Sequence, residues 1–277
     1  MENQVLKRFL KRKTSILGAI IIILFIFTAL AGPMFAPHEP LKQDLLNNYQ
    51  NPSREYLLGT DSLGRDILSR IIYGARISLM ISLISVSCGV IIGMFLGVIA
   101  GYYGKWPETI IMRFMDLLLA FPGLLLALVI VAILGQGIVN TMIAISIFTI
   151  PYLTRIIRAS VLSIKETEYI EACRAGGVPD YRIIFYHIIP NSISPVIVQG
   201  TLNLGTAILT ASGLSFLGLG VQPPHPEWGA MLSNSRDLIR ATPVAAIAPG
   251  IAITMVVLSF SLMGDGLRDA LDPKLKG

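Results

Sequence analysis

Apolar residues in this chain gather into continuous runs instead of alternating with polar ones. Six runs reach the roughly 20 residues that a helix needs to cross a bilayer core of about 30 Å. They lie at about Ile16–Phe35, Ile77–Gly101, Ile110–Leu134, Ile138–Ile157, Pro195–Leu219 and Val244–Met263. Unbroken runs indicate helices, because barrel strands alternate. The pattern predicts an all-α integral membrane protein of six transmembrane helices. Residues 1–76 would hold an amino-terminal tail, the first span and an external loop. Residues 77–277 would hold a core of five spans with a structured loop at 163–190.

Polar residues inside the runs are patterned too. In the second run Ser78, Ser82, Ser85, Gly89, Gly93 and Gly97 recur every three or four residues, which puts small side chains on one helix face and predicts close helix packing. In the fifth run Gln199, Asn203, Thr206 and Thr210 share that spacing but can hydrogen-bond. An unpartnered amide is costly in lipid, so this stripe faces protein or water. It either lines a polar path or bonds to another helix. The third run carries Arg113 and Asp116, three apart, expected to pair with each other near the end of the span. Pro151 predicts a kink in the fourth.

The longest polar interruption of the second half, at 163–190, is more than a connector. Ser163 and Glu166 have capping-box spacing, and Thr167 is a second N-cap candidate. Helix is then expected to about Ala175, with Gly176-Gly177 as a left-handed stop. Pro179 suits the start of a second short helix that ends before Pro190-Asn191. Such a helix–glycine–helix loop outside the membrane suits the groove of a soluble protein partner.

Composition agrees with a membrane protein: 53% of residues are hydrophobic and 14% charged, against roughly 25% charged in a soluble domain. The net charge of +5 reads as topology, not as nucleic-acid binding. Lys7, Arg8, Lys11, Arg12 and Lys13 precede the first span. Arg155, Arg158, Lys165, Arg174 and Arg182 lie around the 163–190 loop, and Arg268, Lys274 and Lys276 follow the sixth. Six spans put these groups, and both termini, on one face, expected to be cytoplasmic. The loop at 37–76 also carries lysine and arginine, but mixes them with acids. Ala29-Leu30-Ala31 resembles a signal-cleavage site, yet the apolar run exceeds a signal core and a retained span is expected. Cys88 and Cys173 fall in different compartments of this topology and are expected to be free thiols.

The 163–190 loop also carries a resemblance. Glu171-Ala172-Cys173, three residues, Gly177, nine residues, then His187-Ile188-Ile189-Pro190 resembles the E-A-A…G…I-x-L-P motif of ABC importer permeases. Cys173, His187 and Ile189 depart from it. Three other stretches look like the C-type permease of the dipeptide/oligopeptide/nickel importers. They are Leu58-Gly59-Thr60-Asp61-Ser62-Leu63-Gly64-Arg65-Asp66 through Arg70, Phe216–Pro224 with Glu227-Trp228-Gly229, and Gly264-Asp265-Gly266-Leu267-Arg268-Asp269 through Pro273.

The resemblance implies a type I importer permease in a bacterial or archaeal cytoplasmic membrane. It would pair with a homologous second permease, two cytoplasmic ATP-binding subunits and an external solute-binding protein. Glu171, Ala172, Cys173, Gly177, His187 and Pro190 would then couple to an ATPase. Gln199, Asn203, Thr206 and Thr210 would be candidates for the path. The chain has no phosphate-loop motif, so ATP would be bound by the partners. No catalytic site, metal site or cofactor of its own is expected. Peptide is the expected cargo, with nickel or a chelated metal as the alternative. A stand-alone secondary transporter is the alternative of another class, and would call for internal repeats or mid-membrane charge pairs.

Overall fold

The computed structural model describes residues 2–236, 239 and 242–271, and these are mostly helical, with one long connection at 35–66 whose only helical stretch is a 3-10 turn at Leu45–Asn47. A short helix α1 (Glu2–Lys11) leads into α2 (Lys13–Ala31). The chain continues through α3 (Ile67–Tyr103), α4 (Lys105–Leu119), α5 (Gly123–Leu134) and α6 (Ile138–Lys165). Then come α7 (Glu168–Ala175), α8 (Asp180–Ile183), α9 (Ile189–Phe216), α10 (Trp228–Ser235) and α11 (Pro243–Leu271). Asp272, Pro273, Lys274 and Lys276, which complete two of the sequence patterns, lie outside the described residues.

Among the described residues, five segments are long and apolar enough to cross a membrane, and α4 and α5 together pass as a sixth that is bent by 91°. The third run is therefore not one straight span. Pro122 has no N–H to donate and holds the residue before it away from helical geometry, so the helix stops at Leu119 and restarts at Gly123. By contrast Pro151 sits within a continuous α6.

The packing shows where the bent pair goes. Gly89 lies against Thr149, Gly93 against Leu153, Gly97 against Ile157 and Gly101 against Val161. Numbers rise together on both helices, so α3 and α6 run parallel. A chain that leaves α3 at one end must enter α6 at the other, and α4–α5 carries it back across. The bundle thus has six passes. The start of α2 and the end of α11 lie together, where Arg12 pairs with Asp269.

The α3–α6 seam is the predicted small-residue face. Ser78, Ser82, Ser85, Gly89, Gly93 and Gly97 are all buried. A Cβ on Gly97 would sit 2.8 Å from Ile157 Cβ and 2.9 Å from the Thr154 carbonyl oxygen. Nothing larger than hydrogen fits there.

Helix α3 is 37 residues, about 55 Å, longer than a bilayer core of about 30 Å is thick. Its first turns, expected to be loop, start at Ile67 because the buried Asp66 caps them, accepting 2.8 Å from the Ser69 N–H. The preceding segment closes over that end. Arg65 Nε donates to Asp61 at 2.7 Å, Arg70 donates to the Pro40 carbonyl at 3.1 Å, and His38 stacks on Tyr56. The Leu58–Arg70 motif is therefore the clasp of a cap over this end of the bundle.

Helix α10 plugs the same end. Trp228 is fully buried against Phe25 and donates to the Ile71 carbonyl at 3.1 Å. Glu227, also fully buried, caps α10 by accepting from the Gly229 and Ala230 N–H groups. Burial pushes its carboxyl above the usual range against the pull of those bonds.

Candidate functional site

At the opposite end, α7 stands off the bundle as a separate exposed helix. Fully buried Ile170 fastens it, packing with Val161, Ile157 and Ile183. Burying one isoleucine is worth about 1.5–3 kcal/mol. Helix α6 runs on to Lys165 with Glu166 as its C-cap, so Ser163 is interior and the expected capping box does not form. The Thr167 hydroxyl occupies the N-cap position of α7 but donates back to the Ile164 carbonyl at 2.6 Å.

The glycine stop forms as expected. The Gly177 N–H donates to the Arg174 carbonyl and the Val178 N–H to the Cys173 carbonyl, both at 3.0 Å, with Gly177 at φ +72°. This is the paired 6→1 and 5→2 closure of a helix end. The turn is tied to α3: Tyr102 donates to Asp180 at 2.7 Å, and the Arg174 guanidinium lies over the Tyr102 ring.

Glu171 and Ala172 are exposed on α7, Gly177 on the turn after it and Pro190 beyond. Cys173 and His187, which both depart from the resembled motif, touch each other: Sγ and Nε2 are 4.0 Å apart, and Tyr169 packs edge-on to the His187 ring. Sequence reasoning treated the two departures separately. Their fourteen-residue separation hides the contact. Around them Tyr169, Tyr181, Phe185 and Tyr186 are exposed, an aromatic rim the sequence reading did not single out.

The second short helix does not end before Pro190. Helix runs unbroken from Asp180 through Phe216. A wider π turn at Ile184–Ile188 precedes the proline, with the Ile189 N–H reaching back to the Ile184 carbonyl. Such a turn relaxes the ladder where a proline ring and its missing N–H would disturb it. The exposed loop is thereby continuous with α9.

On α9 the four polar residues do share a stripe. Gln199 Nε2 donates to Asn203 Oδ1 at 3.2 Å, Thr206 to the Asn203 carbonyl at 3.0 Å and Thr210 to the Thr206 carbonyl at 2.8 Å. These bonds stay within α9, so the interhelical alternative is not what satisfies them inside this chain. Thr206 is exposed, and Asn203 Nδ2 is buried with no partner among the described residues. A buried unsatisfied donor costs about 1–3 kcal/mol.

The expected Arg113–Asp116 pair is replaced by a longer reach. Asp116 pairs with Arg155, and Glu108 with Arg158, fastening α4 to α6. Arginines on the neighbouring α6, which runs opposite to α4, compete with an i,i+3 partner, and the helix packing decides. Cys88 and Cys173 are free thiols.

This bundle has the architecture of ABC importer permeases. An amino acid ABC transporter structure superposes with a TM-score of 0.55 at 18% identity, covering 72% of this chain and 92% of that one. The inward-facing MetNI methionine ABC transporter gives 0.61 at 17%, covering 74% and 98%. Residues 93–277 match the model of the binding-protein-dependent transport system inner membrane component, and residues 3–52 that of the N-terminal TM domain of oligopeptide transport permease C. The chain belongs to the family of binding-protein-dependent transport system inner membrane components.

It is similar to the dipeptide transport system permease protein DppC of Alkalihalophilus pseudofirmus, 50% identical over 99% of this chain and 90% of that protein. The glutathione transport system permease protein GsiD of Pectobacterium atrosepticum is 47% identical over 98% and 90%. The di/tripeptide permease DppC of Pseudomonas aeruginosa is 47% identical over 97% and 90%. The chain is a multi-pass membrane permease subunit of an ABC importer, a transport component and not an enzyme, and works with ATPase and further permease subunits.

Proposed function

We propose that this permease carries di- or oligopeptides and forms half of their path. The observation that carries the reading is α7: a short exposed helix, fixed from beneath by Ile170, closed by Gly177 and followed by one unbroken helix, Asp180–Phe216, that carries the polar stripe of α9. A push on α7 passes through the Gly177 turn, which Tyr102 ties to Asp180, into the helix that runs from Asp180 to the stripe. Glu171, Ala172 and Gly177 form the face presented to a cytoplasmic ATPase, with Cys173 and His187 supporting it from behind and exposed Pro190 beyond them. The termini and α7 then face the cytoplasm, and the external cap faces a solute-binding protein. ATP is bound by the partner subunits, and a homologous second permease supplies the other half of the path. The peptide cargo is supported by the dipeptide, di/tripeptide and glutathione relatives.

The test is uptake by vesicles holding the complex purified with this chain. A labelled dipeptide is expected to accumulate only with ATP and the solute-binding protein, and uptake of nickel alone under the same conditions would overturn the cargo. For the path, single cysteines at Gln199, Asn203, Thr206 and Thr210 are expected to react with a water-soluble thiol reagent to an extent that changes when ATP is trapped. Equal inertness at all four in both states would remove the stripe from the path.

A further inference from the structure

Helix α1 takes no part in transport as described above, yet its faces are sharply divided. Phe9 turns inward, where Gly266 of α11 leaves space for its ring. Leu6 and Leu10, one turn apart, are 56% and 52% exposed. Leu17, Ile20 and Leu24 of α2, the apolar span that follows directly in the chain, are exposed as well. Between α1 and α11 lies a groove of about 430 Å³ lined by Arg8, Lys11, Arg12, Gly266, Asp269 and Ala270. Arg12 is engaged by Asp269. Among the described side chains no carboxylate pairs with Arg8 or Lys11.

We propose that this groove binds the phosphate of an anionic phospholipid. Arg8 and Lys11 hold the headgroup on the groove side of α1, and the acyl chains enter the leaflet beside it. Charge complementarity names the headgroup, and the direct connection of α1 to the apolar span α2 names the bilayer as what covers the leucines. A soluble protein would have to displace lipid to reach them. Basic residues beside a membrane surface attract anionic lipid, and an amphipathic helix seats its apolar face at the headgroup boundary. The site makes α1 a strut that ties the ends of α2 and α11 to the leaflet.

The experiment is native mass spectrometry of the purified chain with its copurifying subunits, titrated with phosphatidylglycerol or phosphatidylcholine. Wild type is expected to prefer phosphatidylglycerol, and Arg8→Gln with Lys11→Gln to weaken that binding by about 30-fold. Arg8→Lys with Lys11→Arg should keep the preference, which separates lost charge from lost fold. Equal binding of both lipids, unchanged binding in the glutamine variant, or displacement of the lipid by millimolar inorganic phosphate would each overturn the site.

Discussion

Gly97→Leu is expected to yield little or no monodisperse protein after extraction into mild detergent, while Gly200→Ala is recovered like wild type. The two sites differ in what a side chain meets. At Gly97 a Cβ lands 2.8 Å from Ile157 Cβ and 2.9 Å from the Thr154 carbonyl, neither of which can swing aside. At Gly200 it stands 3.7 Å from Val90 Cγ2, an ordinary contact. Overpacking a well-fitted interior costs about 1–3 kcal/mol, and more where backbone must move. Here the same spacing recurs at Gly89, Gly93 and Gly101, so separating the helices at one rung loosens the next. Within lipid, apolar attraction between helices does not compensate for lost contact. Size-exclusion chromatography of the two variants makes the comparison. A normal Gly97→Leu profile would mean that α3 and α6 do not meet as described.

Gly177→Val is expected to break the link between ATP hydrolysis and uptake while leaving the chain in the membrane. No atom lies within 4 Å of a Cβ there, so space is not the obstacle. The obstacle is φ +72°, which costs a residue with a Cβ about 1–2 kcal/mol and a β-branched one more. That shifts the local equilibrium roughly 5- to 30-fold against the closed turn, and α7 loses its orientation. Gly177→Asn, which tolerates the left-handed region, should retain most activity. Cargo-driven uptake per ATP hydrolysed, measured in vesicles, is expected to fall about tenfold for valine and little for asparagine. Equal losses would point to the exposed surface and not to the turn.

The spans were legible because burial in lipid leaves a long apolar signature that needs no knowledge of neighbours. The same holds for the small face of α3 and the glycine stop after α7, both local patterns. What the sequence hid was direction and partnership. Hydropathy gives the length of Ile110–Leu134 but not the 91° turn at Pro122, since both halves are apolar. The continuation of helix through Pro190 depends on a π turn with no residue signature of its own. Asp116 reaches Arg155, and Cys173 touches His187, only because packing brings separate segments together.

The central claim is that α7 docks on an ATPase, and disulfide or bifunctional cross-linking in the native complex tests it most directly. With Cys88 and Cys173 replaced by serine, single cysteines are placed at Glu171, Ala172 and Ile170. The exposed positions 171 and 172 are expected to cross-link to an ATP-binding subunit, with a yield that changes when ATP is trapped, and the buried position 170 is not. No cross-link at 171 or 172, or one to a component outside the membrane's ATPase face, would contradict the account.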